Sequence, residues 1–323
     1  MKGFSIALML MVAYGASVGG IATPIGTPPN LIGIGMIQEL TGVRISFLEW
    51  VGFALPITIV MFVYLFFILG LKKSFSTLDL GPIAEYVAEA KGALGKWKRG
   101  EVNTALCFGA AVFLWVLPSI AEFSMGKEAP VVRLLVSRLN EGVVAALAAA
   151  LLFVLPVSFK KGEYTISWER AARIDWGTIL LFGGGLSLGE LMFSTGLAEY
   201  LGSHLIGWTG AERLWTITAV GIAFSIILSE TTSNTASANM ARPVMAAVAA
   251  GAGVSPIPPA LGACLGASFG FMLPVSTPPN AIVYGSGLVP ILSMVKKGII
   301  FDIGGFVIIM SGLMILAPLM GWA

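Results

Sequence analysis

The tetrapeptide Thr-Pro-Pro-Asn occurs twice in this chain, at 27–30 and at 277–280. Each copy lies inside a run without one charged side chain, Gly3–Gln38 and Pro243–Val295. Consecutive prolines lack backbone N–H groups and break the i→i−4 ladder, so neither run can form one straight helix. Both are also longer than the roughly 20 apolar residues that cross a bilayer. The surrounding residues mark a duplication. Gly15-Ala16-Ser17 precedes Pro24-Ile25-Gly26-Thr27-Pro28-Pro29-Asn30, and Gly266-Ala267-Ser268 precedes Pro274-Val275-Ser276-Thr277-Pro278-Pro279-Asn280, with one residue of slippage.

Paired segments interrupted by Gly and Pro are the sequence mark of secondary transporters and point to their binding sites. Broken backbone at membrane depth is tolerated only where it is buried in protein or lines a wet cavity. Its freed carbonyls can coordinate a cation, and the half-helix that follows can face an anion. Composition agrees: 57% of the 323 residues are hydrophobic and 11% charged, against about 25% charged in soluble domains. The fold expected is all-α, a polytopic membrane protein with inverted repeats, discontinuous helices and a re-entrant helical hairpin.

A net charge of +2 gives no reason to expect nucleic acid. Cys107 and Cys264 both sit in apolar runs, which argues against a disulfide framework or a transition-metal site. The single histidine, His204, reads as an interfacial polar residue. No nucleophile–base constellation or nucleotide loop points to an enzyme, and no cofactor is implied. The opening MKGFSIALML imitates a signal peptide, a reading rejected because the segment has its match deep inside the chain.

The stretch Ser229–Met245 is rich in Ser, Thr and Asn between two apolar flanks, each too short to cross alone. A helical hairpin that enters and leaves on one side fits these lengths, with Ser233-Asn234-Thr235 at its tip. Ser233 lies 44 residues before Thr277. An equivalent tip for Thr27 would fall before Met1, and residues 1–26 contain no Ser-Asn-Thr. The first repeat is therefore expected to be incomplete.

The expected organisation has three parts. Residues 1–71 are the remainder of the first repeat, with a broken helix over 3–41 and a span over 47–71. Residues 72–100 form a cytoplasmic interfacial segment. The second repeat, 101–323, holds spans at 101–121, 142–159 and 177–194 and an outer interfacial arm at 196–208. A hairpin over 212–252, a broken helix over 257–291 and a span over 298–320 complete it. This layout puts 13 of the 19 Lys and Arg residues on the inner side and five on the outer, as the positive-inside rule requires. Residue 1 is then cytoplasmic and the C-terminus outside, in the plasma or inner membrane and in contact with lipid. Arg242, in a limb that should be apolar, is expected to reach outward to the surface, and Glu230 and Glu190 to have structural roles.

The segment Ala267–Val283, with the Ser233-Asn234-Thr235 tip ahead of it, resembles the signature of the divalent anion/sodium symporter family of di- and tricarboxylate and sulfate transporters. The resemblance implies a homodimer that imports its anion with Na⁺ by an elevator-type motion. It further implies that Ser233, Asn234, Thr235, Thr277, Pro278, Thr27 and Pro28 contact the substrate. Ser229, Thr232, Asn234 and Ser276 would hold one Na⁺, and Gly26 would contribute to another. An exchanger, a sulfate carrier and a non-transporting relative are the alternatives.

Overall fold

The computed structural model describes residues 2–70, 81–126, 128–174 and 213–323, together with scattered positions between 176 and 207. The chain divides into two compact units. The larger comprises 1–45, 49–76 and 176–323; the smaller comprises 46–48 and 77–175.

In the larger unit, helix α1 (Lys2–Ile21) and helix α2 (Pro28–Thr41) are the two halves of the first interrupted segment. Helix α3 (Phe47–Leu69) follows. The smaller unit contains α4 (Gly81–Leu94), α5 (Arg99–Met125), α6 (Pro130–Arg138) and α7 (Glu141–Val154). A small antiparallel pair, Pro156–Ser158 with Glu163–Tyr164, and a short helix α8 (Trp168–Ala171) close it. Back in the larger unit, α9 (Leu214–Thr231) and α10 (Asn234–Gly251) form a hairpin. Helices α11 (Ile257–Gly266) and α12 (Pro278–Gly285) are the halves of the second interrupted segment, and α13 (Ile291–Leu319) ends the chain.

Five of these helices, α1, α3, α5, α9 and α13, are long and apolar enough to cross a membrane. A sixth crossing arises if α6 and α7, bent by 60°, count as one span. The chain is a multi-pass membrane protein.

The prolines set both breaks. A residue before proline is pushed into extended conformation, and Thr27 (φ −149°, ψ 143°) and Thr277 (φ −142°, ψ 148°) obey nearly identically. The prolines then occupy the first helical turn, where a missing N–H costs nothing. Helix α1 packs on α12, and α11 packs on α2. First half meets second half in both pairs, so the two interrupted segments lie antiparallel. Between them, α9 approaches α11 through small residues: a Cβ at Gly266 would come 2.8 Å from the Ile222 carbonyl oxygen.

The expected span over 142–159 ends at Val154 instead, because Pro156 opens the strand pair. Asn103 on α5 fastens that pair: its Nδ2 donates to Thr165 Oγ1 (2.8 Å) and to the Pro156 carbonyl (3.3 Å). Helix α6 lay outside the sequence expectation. Glu190, and most of the span at 177–194 and the arm at 196–208, lie outside the described residues.

Candidate functional site

Both breaks are held by the same device. Nδ2 of Asn30 donates to the carbonyls of Gly20 (3.0 Å) and Thr23 (2.8 Å). Nδ2 of Asn280 donates to the carbonyls of Gly270 (2.8 Å) and Leu273 (3.1 Å). Each asparagine reaches ten and seven residues back, stapling the loop to the start of the following half-helix. Carbonyls freed at a helix end need donors when buried, and a second donor comes from a distant aromatic. The Trp50 indole N–H donates to Ile21 O (3.0 Å), and the Tyr14 hydroxyl donates to Phe271 O (2.8 Å). Residues 21 and 271 occupy matching places in the two repeats.

At the second break the hairpin meets the loop. Ser229 Oγ donates to Asn234 Oδ1 (2.6 Å) and to the Ala267 carbonyl (2.8 Å), so three oxygens converge. Gly270 closes the other side, where a Cβ would stand 2.9 Å from Ser229 Oγ and 2.8 Å from Ser276 Cβ. Only a bare backbone fits between those two serines. Ser276 Oγ donates to Glu230 O (3.0 Å) and to Glu230 Oε2 (3.2 Å). Glu230, buried at 3% exposure, accepts Phe271 N–H at Oε1 (2.6 Å) and Met272 N–H at both oxygens (2.9 and 3.1 Å). The carboxylate thus takes amides that the break leaves without helical partners.

Ser229, Asn234 and Ser276 therefore gather around Gly270. Thr232 turns into its own hairpin instead, with Oγ1 donating to Leu228 O (2.8 Å) and lying 2.7 Å from Ser237 Oγ. Ser233 is the exposed N-cap of α10, accepting from Ala236 N (3.2 Å), and Thr235 is half-buried beside it. Thr277 is buried and caps α12 through Asn280 N (3.3 Å), while Pro278 is exposed. Thr27 is half-buried and Pro28 exposed at the start of α2. Gly26 lies against Gly20, where a Cβ would come 2.3 Å from the Gly20 oxygen. Among the described residues, hydrogen bonds join Ser229 to Asn234 and Ala267 and join Ser276 to Glu230, and the two sets meet because Glu230 follows Ser229 in the chain. They do not join the first-break residues to that group.

Arg242 overturns its expectation. It does not reach the surface; it is fully buried, because its face of α10 packs on α2 and α11. Nε donates to Ala238 O (2.7 Å), and both terminal nitrogens lack a partner. Cys264 is next to it, with its thiol donating to Pro29 O (3.1 Å). The stapling role of Asn30 and Asn280 went unread in the sequence, although both belong to the repeated tetrapeptide. Tyr14 and Trp50 left no local signal, since their partners are remote in sequence.

Oxygen-only clusters suit hard cations, and the exposed N-cap of α10 leaves first-turn amides for an anion. Two proline-interrupted helices lying antiparallel, with a polar-tipped hairpin against one break, define a membrane transporter of the broken-helix class. The sodium:sulfate symporter transmembrane region matches residues 2–322, and the chain belongs to that family, one of transporters and not enzymes. It is similar to the sodium-dependent dicarboxylate transporter SdcS of Staphylococcus saprophyticus, 34% identical over 98% of this chain and 59% of the relative. SdcS of Staphylococcus aureus strain USA300 is 33% identical over 91% of this chain and 55% of that protein. The chain thus spans somewhat over half the length of the curated relatives it matches.

Proposed function

We propose that this chain forms the substrate- and sodium-binding part of a Na⁺-coupled importer of dicarboxylates. The observation that carries the reading is the convergence of Ser229 Oγ, Asn234 Oδ1 and the Ala267 carbonyl beside Gly270 and Ser276. These neutral oxygens hold Na⁺ without fixing a charge of their own. Asn234 is shared, so the ion orders the tip that meets the substrate. Ser233, Thr235 and the first-turn amides of α10 then hydrogen-bond one carboxylate, and Thr277-Pro278 and Thr27-Pro28 bound the pocket. Thr232 and Gly26 contribute backbone oxygens to the sodium sites, in keeping with side chains that are turned away or absent. The names of the SdcS relatives support both the ion and the substrate class.

Energetics favour multiple ions. Each positive charge moving inward gains about 2.3 kcal/mol per 100 mV, so a dianion gains from the potential only with at least three Na⁺. Elevator-type movement in a homodimer, and tricarboxylates as further substrates, extend the same proposal. So does the orientation with residue 1 cytoplasmic in the cell membrane.

Uptake of labelled succinate into proteoliposomes, with and without an inward Na⁺ gradient, tests the reading. Na⁺-driven accumulation is expected. Equal rates in both conditions, or accumulation only against internal succinate, would make the chain an exchanger. Labelled sulfate taken up in preference to succinate would reassign the substrate.

A further inference from the structure

In the smaller unit, a groove of about 1120 Å³ runs along the first three turns of the crossing helix α5. One wall is the α5 face formed by Glu101, Thr104, Ala105 and Phe108, spaced three and four residues apart as a single helix face requires. The other wall is the strand pair and the turn after it, from Val157 to Arg170. Asn103 ties the walls together through Thr165 Oγ1 and the Pro156 carbonyl. The Arg99 guanidinium adds a second tie, 5.9 Å from the centre of the Phe159 ring.

The lining changes character along its length. Lys98 and Arg170 stand at the mouth, and among the described residues neither is in an ion pair. Gly100 brings the first turn of α5 into the wall, the positive end of that helix. Two acids also line the groove: Glu101 accepts from the Lys98 amide (2.9 Å), and Glu163 belongs to the strand pair. The balance is still basic, with seven Lys and Arg against three Glu over residues 96–101 and 156–173. Ten residues separate Lys98 from Phe108, about 15 Å of helix rise. Over that distance the wall passes from charge to Ala105 and then to the Phe108 ring, left 60% exposed. Trp97, Phe159, Tyr164 and Trp168 are exposed beside the mouth, as aromatic residues are at the boundary between water and lipid. A soluble anion would use the mouth alone. An amphiphile with a negative head and an apolar tail uses the whole groove, and a zwitterionic head would bring its own cation into a basic site.

We propose that this groove binds one anionic phospholipid of the phosphatidylglycerol type. Its phosphate sits between Lys98 and Arg170, where basic pockets at a membrane surface hold such headgroups. One acyl chain follows α5 past Ala105 to Phe108, burying the ring that the protein leaves bare. The lipid fastens the strand pair to the start of α5 and so holds the smaller unit at one face of the membrane. The candidate ion and substrate residues all belong to the larger unit, so the lipid site stands or falls without them.

The test is native mass spectrometry of the purified full chain in non-ionic detergent, with thermal unfolding followed over the same lipid titrations. Phosphatidylglycerol and phosphatidylcholine of identical acyl chains are compared. One phosphatidylglycerol retained per chain, with a higher unfolding midpoint, is expected; phosphatidylcholine should give neither. Lys98→Ala with Arg170→Ala should weaken phosphatidylglycerol binding about thirtyfold, the factor for two cations of about 1 kcal/mol each at an anionic surface. Should that pair fail to fold, Arg170→Ala alone should weaken it about fivefold on the same scale. Arg138→Ala, on α6 beyond the far end of α5, should leave binding unchanged. Glycerol phosphate, added in place of lipid, separates the two sources of a phosphate. Stabilisation by it equal to that by phosphatidylglycerol would make the ligand a soluble phosphate and overturn the lipid site. Equal retention of the two lipids would overturn it as well. So would phosphatidylglycerol binding that survives Arg170→Ala intact, or that Arg138→Ala weakens to the same extent.

Discussion

Replacing Asn280 by alanine tests whether the two breaks are built alike. The amide is fully buried and supplies the donors to Gly270 O and Leu273 O. A net hydrogen bond contributes about 0.5–1.5 kcal/mol, and a buried acceptor left unmade costs about 1–3 kcal/mol. Losing the staple should therefore cost about 2–3 kcal/mol, allowing for partial relaxation of an irregular loop. For a chain of this size that is a fall of roughly 3–5 °C in the unfolding midpoint. Asn30→Ala should fall by nearly the same amount, because an amide has only two N–H hydrogens and the extra contact to Ile21 O, at 3.4 Å, must share one. Asn280→Asp should be worse than alanine, since it turns a carboxylate toward two carbonyl oxygens. Tryptophan fluorescence during thermal unfolding in detergent reads all three. If either alanine variant unfolds within about 1 °C of the unsubstituted chain while the other does not, the shared-staple argument is wrong.

Other expectations follow from single contacts. Arg242→Met should raise stability by ~1–3 kcal/mol, because it removes a buried cation whose terminal nitrogens have no partner; a loss of stability would reveal an anion bound there. Trp50→Phe should cost about 1 kcal/mol by leaving Ile21 O without its donor, and an unchanged midpoint would dismiss the indole's role. Gly298→Ala should cost about 1–3 kcal/mol or block folding, since the added methyl meets Met272 backbone and not a movable side-chain end. Normal yield and midpoint for Gly298→Ala would contradict the close packing of α13 on the break.

The sequence disclosed what is periodic or covalently constrained. Proline obeys local rules, so the breaks at 22–27 and 267–277 and the hairpin turn near Ser233 were readable before any coordinates. Hydropathy likewise exposed the crossing helices. What stayed hidden depends on which helix lies beside which. Arg242 was assigned to the surface because a lone charge in an apolar limb usually reaches water, and only the packing of α10 against α2 and α11 forbids that. Thr232 carries the right hydroxyl for a cation, yet the hairpin turn gives it Leu228 O and Ser237 as nearer partners.

Glu230 explains why the hairpin and the second break must act together. A re-entrant hairpin could in principle swing on its own, since its tip is held only by short-range contacts. Here the residue after Ser229 takes two amide protons from the broken loop and the Ser276 hydroxyl as well. Moving α9 away from the break would strand those amides and a carboxylate in a dry interface, a cost of several kcal/mol. The exchange of halves adds a second constraint: α12 rests on α1, and α11 on α2, so displacing the second break drags both halves of the first. Substrate-dependent motion is therefore expected to carry hairpin and breaks as one body, with flexure outside residues 2–41 and 214–285. A disulfide between α9 and α11 should be tolerated under that arrangement, and loss of substrate binding on forming one would show that the hairpin moves alone.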